Sequence, residues 1–265
     1  MDPVRPRGPR NQRVASAARL HNSRERRDAG TTLLEGPNVL HEALTAGLIP
    51  ETVFALPDDR QSAVLAEEHG VELIVVDETA LKRLAGTETP RGPVAVIEMP
   101  APSRVEGRNL VVAWGLGDPG NVGTLIRIAA AFGWDFGHTP RTADPWSPKV
   151  VRAGAGGHFR VGVSPVASVE ELGEAGLVTV ATVVAGGEAP DRLGSGPYAV
   201  LVGEESAGLP PAVVDQAARK VTISMPGGTE SLNAAVAAAI IVYELSNYPG
   251  TNPGSGSDPS NLPPT

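Results

Sequence analysis

The sequence contains no cysteine among its 265 residues, and its five histidines show no metal-ligand spacing. The missing thiols exclude disulfides, thiolate metal sites and thiol catalysis. Long apolar runs are also missing, because the longest, residues 234–243, is far shorter than the roughly 20 residues that span a bilayer. The N-terminus lacks the apolar segment of a secretory signal. We therefore expect a cytoplasmic protein that binds neither a membrane nor a structural metal.

Negative charge dominates the chain, whose formal net charge is −8. Residues 1–30 are the exception, because eight arginines there face three acidic residues, a balance of +5, and the rest of the chain carries −13. A basic segment on an acidic body is typical of chains whose basic part meets phosphates. A solvated terminus without a ligand explains the same pattern, and both interpretations stay open at this point.

The first half of the chain alternates between strands and helices. Residues 1–12 are rich in Pro and Arg and predict disorder, and residues 14–28 predict a basic helix. Pro37 then lies at the first turn of a helix that Gly47 ends. The predicted strands begin at 31 and cover 52–56, 72–76 and 93–99, and the predicted helices cover 37–47, 60–69 and 78–85. This alternation predicts a small α/β domain over 31–100.

A second alternation begins after a linker without periodicity at 99–108. Its strands are rich in Val, Ile and Leu throughout, which is typical of a parallel sheet covered on both faces. The predicted strands cover 110–114, 160–166, 177–184, 198–203 and 220–225, with a short segment at 135–139, and the predicted helices cover 121–132, 148–154, 210–218 and a stretch from 231. The predicted units are a basic N-terminal extension (1–30), the small domain (31–100), a larger domain (107–248) and a disordered tail (249–265).

Residues 115–120, GLGDPG, match the glycine pattern of a dinucleotide-binding turn between a strand and a helix. Asp135 lies at the spacing of the acidic residue that binds ribose in that fingerprint. In the fingerprint, however, the acidic residue ends a second apolar strand, which is missing before Asp135, and Pro119 stiffens the turn. We keep a dinucleotide-binding oxidoreductase as an alternative and favour a loop that presents polar residues at a helix start.

Asn121 and Arg127 lie on the helix that follows this loop. Asp118 or Asn121 can cap the helix, which is a purely structural explanation for both. Arg127 lies among apolar residues, where an unpaired guanidinium is costly to bury. We therefore expect Arg127 either at the surface or beside a carboxylate, or else at the mouth of an active site, where it would bind phosphate.

Two further polar turns lie beside apolar elements. In residues 201–210, Gly203 marks the point where a strand meets a turn, and Glu204 and Glu205 follow. An acidic pair that enters a helix explains these carboxylates without a ligand. In residues 231–247, Ser231 opens the long helix, where it is expected as an ordinary N-cap. Loop ends of this kind are also where binding and catalytic residues concentrate.

In order and spacing, the three loops resemble the motifs of the SpoU (TrmH-like) RNA 2′-O-ribose methyltransferases, across about 31–248. Asn121 and Arg127 match the first motif residue by residue. Glu205 matches the second motif, which has a glycine, one variable residue and then a glutamate. The sequence Ser-Leu-Asn at 231–233 matches the third motif and is the most specific of the three signals.

The resemblance implies a fold, a reaction and a set of site residues. The fold is α/β, a trefoil-knotted parallel-sheet methyltransferase domain preceded by a small α/β substrate-binding domain, in a homodimer with its sites near the interface. The reaction uses S-adenosyl-L-methionine as methyl donor and no metal, and Arg127 activates the ribose 2′-hydroxyl. The residues implied in catalysis are Arg127, Asn121, Glu205, Ser231 and Asn233. Those implied in donor binding are Gly203, Met225, Leu232 and Thr182.

RNA contacts are expected at two basic segments. Residues 149–163 resemble the family's sequence between the first and second motifs, although a solvated basic helix explains them equally well. The small domain looks like the family's substrate-binding domain, which is similar to RNA-binding ribosomal proteins, and the basic extension precedes it. The residues expected to contact RNA are Arg24, Arg26, Arg27, Lys149, Arg152 and His158.

We therefore predict S-adenosylmethionine-dependent 2′-O-ribose methylation of structured RNA, with ribosomal RNA ahead of transfer RNA. The oxidoreductase that uses residues 115–120 is one alternative. A non-catalytic RNA-binding protein that keeps the fold is another. The presence of Asn121, Arg127, Glu205 and Asn233 argues against the non-catalytic alternative.

Overall fold

The basic N-terminal segment packs onto the first domain and is not a separate extension. The structure, a computed structural model, describes residues 5–90, 92–229 and 231–247. The single helix predicted at 14–28 is two helices, α1 (Gln12–Ala18) and α2 (Ser23–Ala29), each capped by an asparagine side chain. The apolar residues that these turns bury in the first domain's core are Val14, Ala17 and Leu20. Their spacing of three residues places them on one face, so residues 12–29 pack as part of the first domain's core.

The Pro/Arg-rich start of the chain, predicted to be disordered to residue 12, runs along the first sheet from residue 5. The Arg7 amide donates to the Val75 carbonyl (2.8 Å), and the Arg7 carbonyl accepts from the Asp77 amide (3.1 Å). These backbone bonds explain why the composition misled: they need no apolar side chain. The predicted tail, 249–265, lies outside the described residues.

The first domain contains a four-stranded mixed sheet. Its strands are β1 (Thr31–Glu35), β2 (Thr52–Ala55), β3 (Glu72–Val75) and β4 (Val94–Glu98), in the order β1-β4-β2-β3. Strand β4 is antiparallel to β1 and β2, whereas β2 and β3 are parallel. Its other helices are α3 (Pro37–Thr45), α4 (Arg60–His69) and α5 (Glu78–Ala85). The small α/β domain predicted for this region is present.

The second domain contains a six-stranded sheet in which every pairing is parallel. Its strands are β5 (Leu110–Ala113), β6 (Asp135–His138), β7 (Val163–Pro165), β8 (Val178–Thr182), β9 (Tyr198–Val202) and β10 (Arg219–Val221), in the order β10-β8-β9-β5-β6-β7. Its helices are α6 (Pro119–Phe132), α7 (Pro148–Gly154), α8 (Val169–Glu174), α9 (Pro211–Gln216) and α10 (Ala234–Ser246). The predicted parallel α/β architecture is confirmed.

Both faces of this sheet are buried. Val111 and Ala113 of β5 pack in the cluster that includes α6 and α10, whereas Leu110 and Val112 pack in the cluster that includes α8 and α9. Successive side chains of a strand point to opposite faces. A strand covered on both sides must therefore be apolar at every position, and this is the continuous pattern seen in the sequence.

The two domains meet at β1 and α7. The Thr32 hydroxyl donates to the Trp146 carbonyl (2.7 Å), and Val151 packs with the core of the first domain. Three ion pairs cross the same boundary, and they are Arg26–Asp144, Arg152–Glu35 and Arg160–Glu42. In each of these pairs one partner lies in each domain, so the pairs fix the relative orientation of the two domains.

Candidate functional site

A cavity lies outside the carboxyl ends of β8, β9 and β10, where open parallel sheets bind their ligands. The four residues predicted to bind the methyl donor all line it, and they are Thr182, Gly203, Met225 and Leu232. Glu205 and Ser231 of the predicted catalytic set line it as well. Residues as far apart in the sequence as Thr182 and Leu232 are thus brought together at one edge of the sheet.

Gly203 makes a tight turn possible at the end of β9. A Cβ atom at this position would lie 2.4 Å from the carbonyl carbon of Gly208 and 2.5 Å from its oxygen. The Gly208 amide donates to the Glu204 carbonyl (2.8 Å), so residues 204–208 close on themselves. A side chain at Gly203 would open this turn, and the wall of the cavity would move with it.

The remainder of the wall is mainly apolar. Val183, Val221, Ile223 and Ile241 line the cavity together with the half-buried Met225 and Leu232. Glu204 and Glu205 are the charged residues of the lining. Such a lining suits a small molecule with a flat apolar part and a cationic part. Ile223 was missed by the sequence analysis, because it was counted inside a strand predicted at 220–225 that ends at Val221.

Hydrogen bonds connect one residue from each of the three loops. The Asn121 side-chain amide donates to the Glu205 carboxylate, and the Asn233 amide nitrogen donates to the Asn121 carbonyl oxygen (2.9 Å). The Asn233 side-chain oxygen in turn accepts from the backbone amides of Ala235 (3.0 Å) and Val236 (3.2 Å). The side-chain nitrogen of Asn121 must face the Glu205 carboxylate, and the side-chain oxygen of Asn233 must face the two backbone amides. These bonds fix which way each side-chain amide group points.

The cap of α10 differs from the sequence expectation, whereas the cap of α6 is one of the two residues expected. Helix α10 begins at Ala234 with Asn233 as its N-cap, so the expectation that Ser231 caps it is wrong. Ser231 is exposed at the cavity, two residues before the cap. At α6 the cap is Asp118, which accepts from the Asn121 backbone amide (2.8 Å). The Asn121 side chain is therefore available for the site.

Arg127 lies apart from these hydrogen bonds. It follows Asn121 by six residues, which corresponds to roughly 9 Å along a helix. Its side chain is exposed, and among the described residues it has no ion pair or hydrogen bond. Its backbone lies beside Gly157, where an added Cβ would be 3.2 Å from the Arg127 Cα. This exposure fits both a surface position and the mouth of an active site, and no carboxylate among the described residues pairs with Arg127.

Two residues expected to contact RNA are buried. Arg26 is 2% exposed, pairs with Asp144 and donates to the Leu20 carbonyl (2.7 Å). His158 is also 2% exposed, and its Nε2 is hydrogen-bonded to the Pro145 carbonyl (2.8 Å). Burial lowers the pKa of His158 to about 4. The expected RNA contact is therefore corrected for both residues, because each is enclosed by the fold.

The other four residues predicted to contact RNA differ in exposure and in ion pairing. Arg27 and Lys149 are exposed. Arg24 is exposed 3.6 Å from Asp28 of its own helix, a weak surface pair. Arg152 is half-buried and pairs with the buried Glu35 of the first domain. Its guanidinium therefore joins the domains rather than facing solvent freely.

The dinucleotide fingerprint is not formed. The Asp118 carboxylate caps α6 at the place where a pyrophosphate would lie in that fold. Asp135 begins β6 instead of ending a strand, so it lies at the amino edge of the sheet, opposite residues 115–120. There it accepts from the Gly162 amide (2.8 Å) and lies 3.6 Å from Arg108. The described residues therefore give no support to the oxidoreductase alternative.

The described residues contain neither a metal-binding cluster nor a membrane-spanning helix. No group of three or more histidine, aspartate or glutamate side chains is placed to hold a metal ion in that part of the chain. No helix there has the length and apolar character that crossing a membrane requires.

Two family models match the chain, one for each domain. Residues 108–243 match the SpoU rRNA Methylase family, which is about half of the chain. Residues 11–95 match the MRM3-like substrate binding domain. This second match begins at α1, in agreement with the packing of α1 and α2 on the first sheet.

Similar proteins align with this chain along almost their whole length. The 23S rRNA (guanosine(2553)-2′-O)-methyltransferase RlmP of Bacillus subtilis is 33% identical over 243 residues, which cover 89% of this chain and 96% of that protein. Among solved structures, the SpoU methyltransferase AviRb of Streptomyces viridochromogenes in complex with AdoMet is 31% identical, with a TM-score of 0.79 over 89% of this chain and 97% of that one. The AdoMet-bound rRNA methyltransferase of Sinorhizobium meliloti is 28% identical, with a TM-score of 0.76 over 89% and 94%.

Proposed function

We propose that this chain, which belongs to the SpoU rRNA methylase family, transfers a methyl group from S-adenosyl-L-methionine to a ribose 2′-hydroxyl of ribosomal RNA. The observation that carries the proposal is the cavity at β8, β9 and β10, with the hydrogen-bonded Asn121, Glu205 and Asn233 at its side. RlmP, named for 2′-O-methylation of 23S rRNA, supports ribosomal RNA ahead of transfer RNA as the substrate.

The residues of the cavity fit the methyl donor. S-adenosylmethionine, when bound, supplies a methyl group on a cationic sulfonium, next to an apolar adenine and a polar amino acid. Glu204 and Glu205 place negative charge at the wall, and Met225 and Leu232 offer an apolar surface for the base. Backbone groups of 203–208 can approach a ligand closely because Gly203 carries no side chain.

The polar residues beside the cavity have positioning parts in this proposal. Asn121, held from both sides by Glu205 and Asn233, orients the ribose. Arg127 acts on the 2′-oxygen: a guanidinium stays protonated in proteins, so it binds an RNA phosphate and stabilises the negative charge that develops on the attacking oxygen. Transfer then depends on an in-line approach of that oxygen to the methyl carbon: the O–C bond would form as the C–S bond breaks, S-adenosylhomocysteine would leave, and the hydroxyl proton would pass to solvent.

The test combines donor binding with product identification. Calorimetry with S-adenosylhomocysteine should show saturable binding, and tritiated methyl groups should appear in 23S ribosomal RNA transcribed in vitro. The product nucleotide should resist alkaline hydrolysis, since a methylated 2′-oxygen cannot attack the adjacent phosphate. Gly203→Ala should bind donor at least tenfold more weakly. Gly227→Ala is the matched control, because no atom lies within 4 Å of the added Cβ. If calorimetry of the folded protein shows no binding of S-adenosylhomocysteine, the proposal is refuted.

We also propose that the chain is a homodimer formed through α10. Val236, Ile240 and Tyr243 are large apolar residues on this helix that are 37–55% exposed. They recur at intervals of four and three residues, so they form one stripe. The helix is apolar on its buried side too, and a helix apolar all round is typical of an element covered on every face. In a two-fold dimer both subunits use the same surface patch, so a second copy of the chain can cover this stripe with its own.

Sedimentation equilibrium tests the dimer. Ile240→Glu places a charge in the middle of the stripe and should yield monomers, whereas Glu174→Gln, at an exposed position of α8, should leave the dimer intact. A wild-type protein that sediments as a monomer at micromolar concentration would contradict this proposal. The trefoil knot of the family and a cytoplasmic location stay predictions for this chain.

A further inference from the structure

A second cavity, here called the interdomain cleft, lies between the two domains. The linker at 99–102 forms one side of it, residues 138–146 form another, and residues 163–167 close it. Arg26 and Arg27 of α2 line it from the first domain. Arg26 and Arg27 were among the RNA contacts expected from sequence, and none of the residues of the cleft lines the methyl-donor cavity.

The cleft lies on the same edge of the six-stranded sheet as the donor cavity. It is built on the carboxyl ends of β6 and β7, whereas the donor cavity is built on β8, β9 and β10. Strands β6 and β7 are two and three positions from β9 in the sheet. Neighbouring strands are spaced about 4.8 Å apart, so the cleft lies roughly 10–15 Å along the edge from the Gly203 turn.

Arginines outnumber carboxylates in the cleft. Arg27 and Arg141 line it, both are exposed, and neither has an ion pair within the described part of the chain. Of the two carboxylates, Asp144 pairs with Arg26, and Glu171 keeps its charge while it accepts from the Ala167 amide (2.7 Å), so the lining charges sum to +1. On a chain of net charge −8, two unpaired guanidinium groups at one cavity favour an anionic ligand.

Arg141 is held in a backbone conformation that residues other than glycine rarely adopt. Its φ is 72°, in the left-handed region. The turn is fixed to β5 and the loop that follows: the Thr142 hydroxyl donates to the Ala113 carbonyl (2.9 Å), and the Ala143 amide donates to the Leu116 carbonyl (2.9 Å). Local strain of this kind concentrates at ligand sites, because the surrounding bonds must offset it.

Aromatic side chains complete the cleft. Trp146 is half-buried and lines it, and so does His138. Burial lowers the pKa of His138, which favours a neutral ring that can both donate and accept a hydrogen bond. A cavity with aromatic rings and guanidinium groups matches the way proteins hold unstacked RNA bases and their phosphates.

We propose that the interdomain cleft binds an unpaired nucleotide that flanks the methylated one, with Arg27 and Arg141 on its phosphates and Trp146 against its base. This inference rests on the proposed function, because it names where the RNA of that reaction lies. The distance from the donor cavity assigns the cleft to a neighbour of the target nucleotide rather than to the target itself.

Two variants test the cleft with little risk to folding. Arg141→Gly removes the guanidinium and suits the positive φ, so its melting temperature should equal or exceed that of the wild type. Arg27→Ala removes an exposed side chain. Arg192→Ala is the matched control, since this exposed arginine lies beside the start of β10, where its carbonyl accepts from Arg219 (3.2 Å).

The probe is 23S ribosomal RNA transcribed in vitro, titrated over a range of salt concentrations. Each cleft variant should bind about tenfold more weakly, as expected when a charge-assisted hydrogen bond is lost, and should lower the salt slope by about 1. A transcript containing 4-thiouridine should cross-link within residues 138–146. The control variant should match the wild type in both measurements.

The results separate the cleft from the proposed function. Donor calorimetry and methyl transfer by the wild type test the reaction, whereas RNA affinity and cross-linking test the cleft even if no transfer occurs. Unchanged affinity and salt slope in the Arg27→Ala, Arg141→Gly double variant, or cross-links only outside 138–146, would overturn the inference. That result would assign the cleft to a partner other than RNA.

Discussion

Arg127 is exposed on an otherwise apolar helix, outside the hydrogen bonds that join Asn121, Glu205 and Asn233. If it stabilises charge on the 2′-oxygen, Arg127→Ala should slow single-turnover transfer at saturating RNA by roughly 10²–10⁴. Donor affinity should change less than threefold. Arg127→Lys should also fail, because lysine keeps the charge but not the planar fork. Near wild-type turnover in Arg127→Ala at saturating RNA would reduce the residue to a binding contact.

Asn233 combines two functions that one substitution can separate. Its oxygen caps α10, and its nitrogen donates to Asn121. Asn233→Asp keeps the cap and loses the donor, so stability should stay within about 0.5 kcal/mol while methyl transfer falls. Asn233→Ala loses both and should unfold about 1 kcal/mol more easily. Urea denaturation and transfer rates measured on the same samples check the separation; equal transfer rates for Asn233→Asp and wild type would refute it.

His158 makes stability depend on pH. Burial lowers its pKa to about 4, so the folded state keeps the ring neutral while the unfolded chain takes up a proton near the ordinary value of 6.5. Stability is therefore full above pH 6.5 and falls as the pH drops toward 4, by about 3 kcal/mol at most. His158→Gln, which can still donate to the Pro145 carbonyl, should lose less stability between pH 7 and pH 4.5 in urea titrations. An identical loss would show that other groups cause the dependence.

At the level of elements, local sequence signals predicted most of the fold. The bounds predicted for α4, α5 and α7 agree with the structure, because each has a capping residue before it and an apolar face. Helix α8 was not predicted, since its six residues are too few to show a period. Strand β10 ends earlier than predicted because residues after Val221 line the donor cavity instead of pairing.

Helices α6 and α7 pack so closely that glycine is required between them. A methyl group at Gly123 would lie 2.5 Å from the Ala153 Cβ and 2.7 Å from the Val150 carbonyl oxygen. Gly123→Ala should therefore destabilise the protein by about 1–3 kcal/mol, although alanine favours a helix. Gly173→Ala is the control: it lies in α8 with no atom within 4 Å, and it should be neutral or stabilising. Thermal denaturation of both variants tests this prediction. Equal melting temperatures for Gly123→Ala and Gly173→Ala would contradict the close contact.

At the scale of the whole molecule, the sequence predicted two α/β units but not how they join. The charge composition suggested a free basic arm at the N-terminus. Arg26 was expected to contact RNA, but it is the most deeply buried arginine of that segment. Its partner Asp144 lies 118 positions later, and no local pattern links residues so far apart. Likewise, the site's loops were each recognisable, but only the sheet order reveals that they share one cavity.

The Arg26–Asp144 pair should couple the unfolding of the two domains. Arg26 is buried, and its removal leaves the Asp144 carboxylate and the Leu20 and His21 carbonyls without their donor. Arg26→Leu should therefore cost about 3 kcal/mol and split one calorimetric transition into two. Arg24→Ala, on the exposed side of α2, should leave a single transition near the wild-type temperature. A single unshifted transition for Arg26→Leu would show that the domains are held together by other contacts.

The backbone bonds between Arg7 and the end of β3 also have a consequence for colloidal behaviour. Strand β3 is an outer strand of the first sheet, and an uncovered strand edge is a template on which other chains can add. The N-terminal segment occupies part of that edge through the Val75 carbonyl and the Asp77 amide. The basic N-terminal segment thus also protects this strand edge from pairing with other chains. A chain shortened to begin at α1 would keep its core but expose the unpaired edge of β3, and its solubility would fall before its stability does.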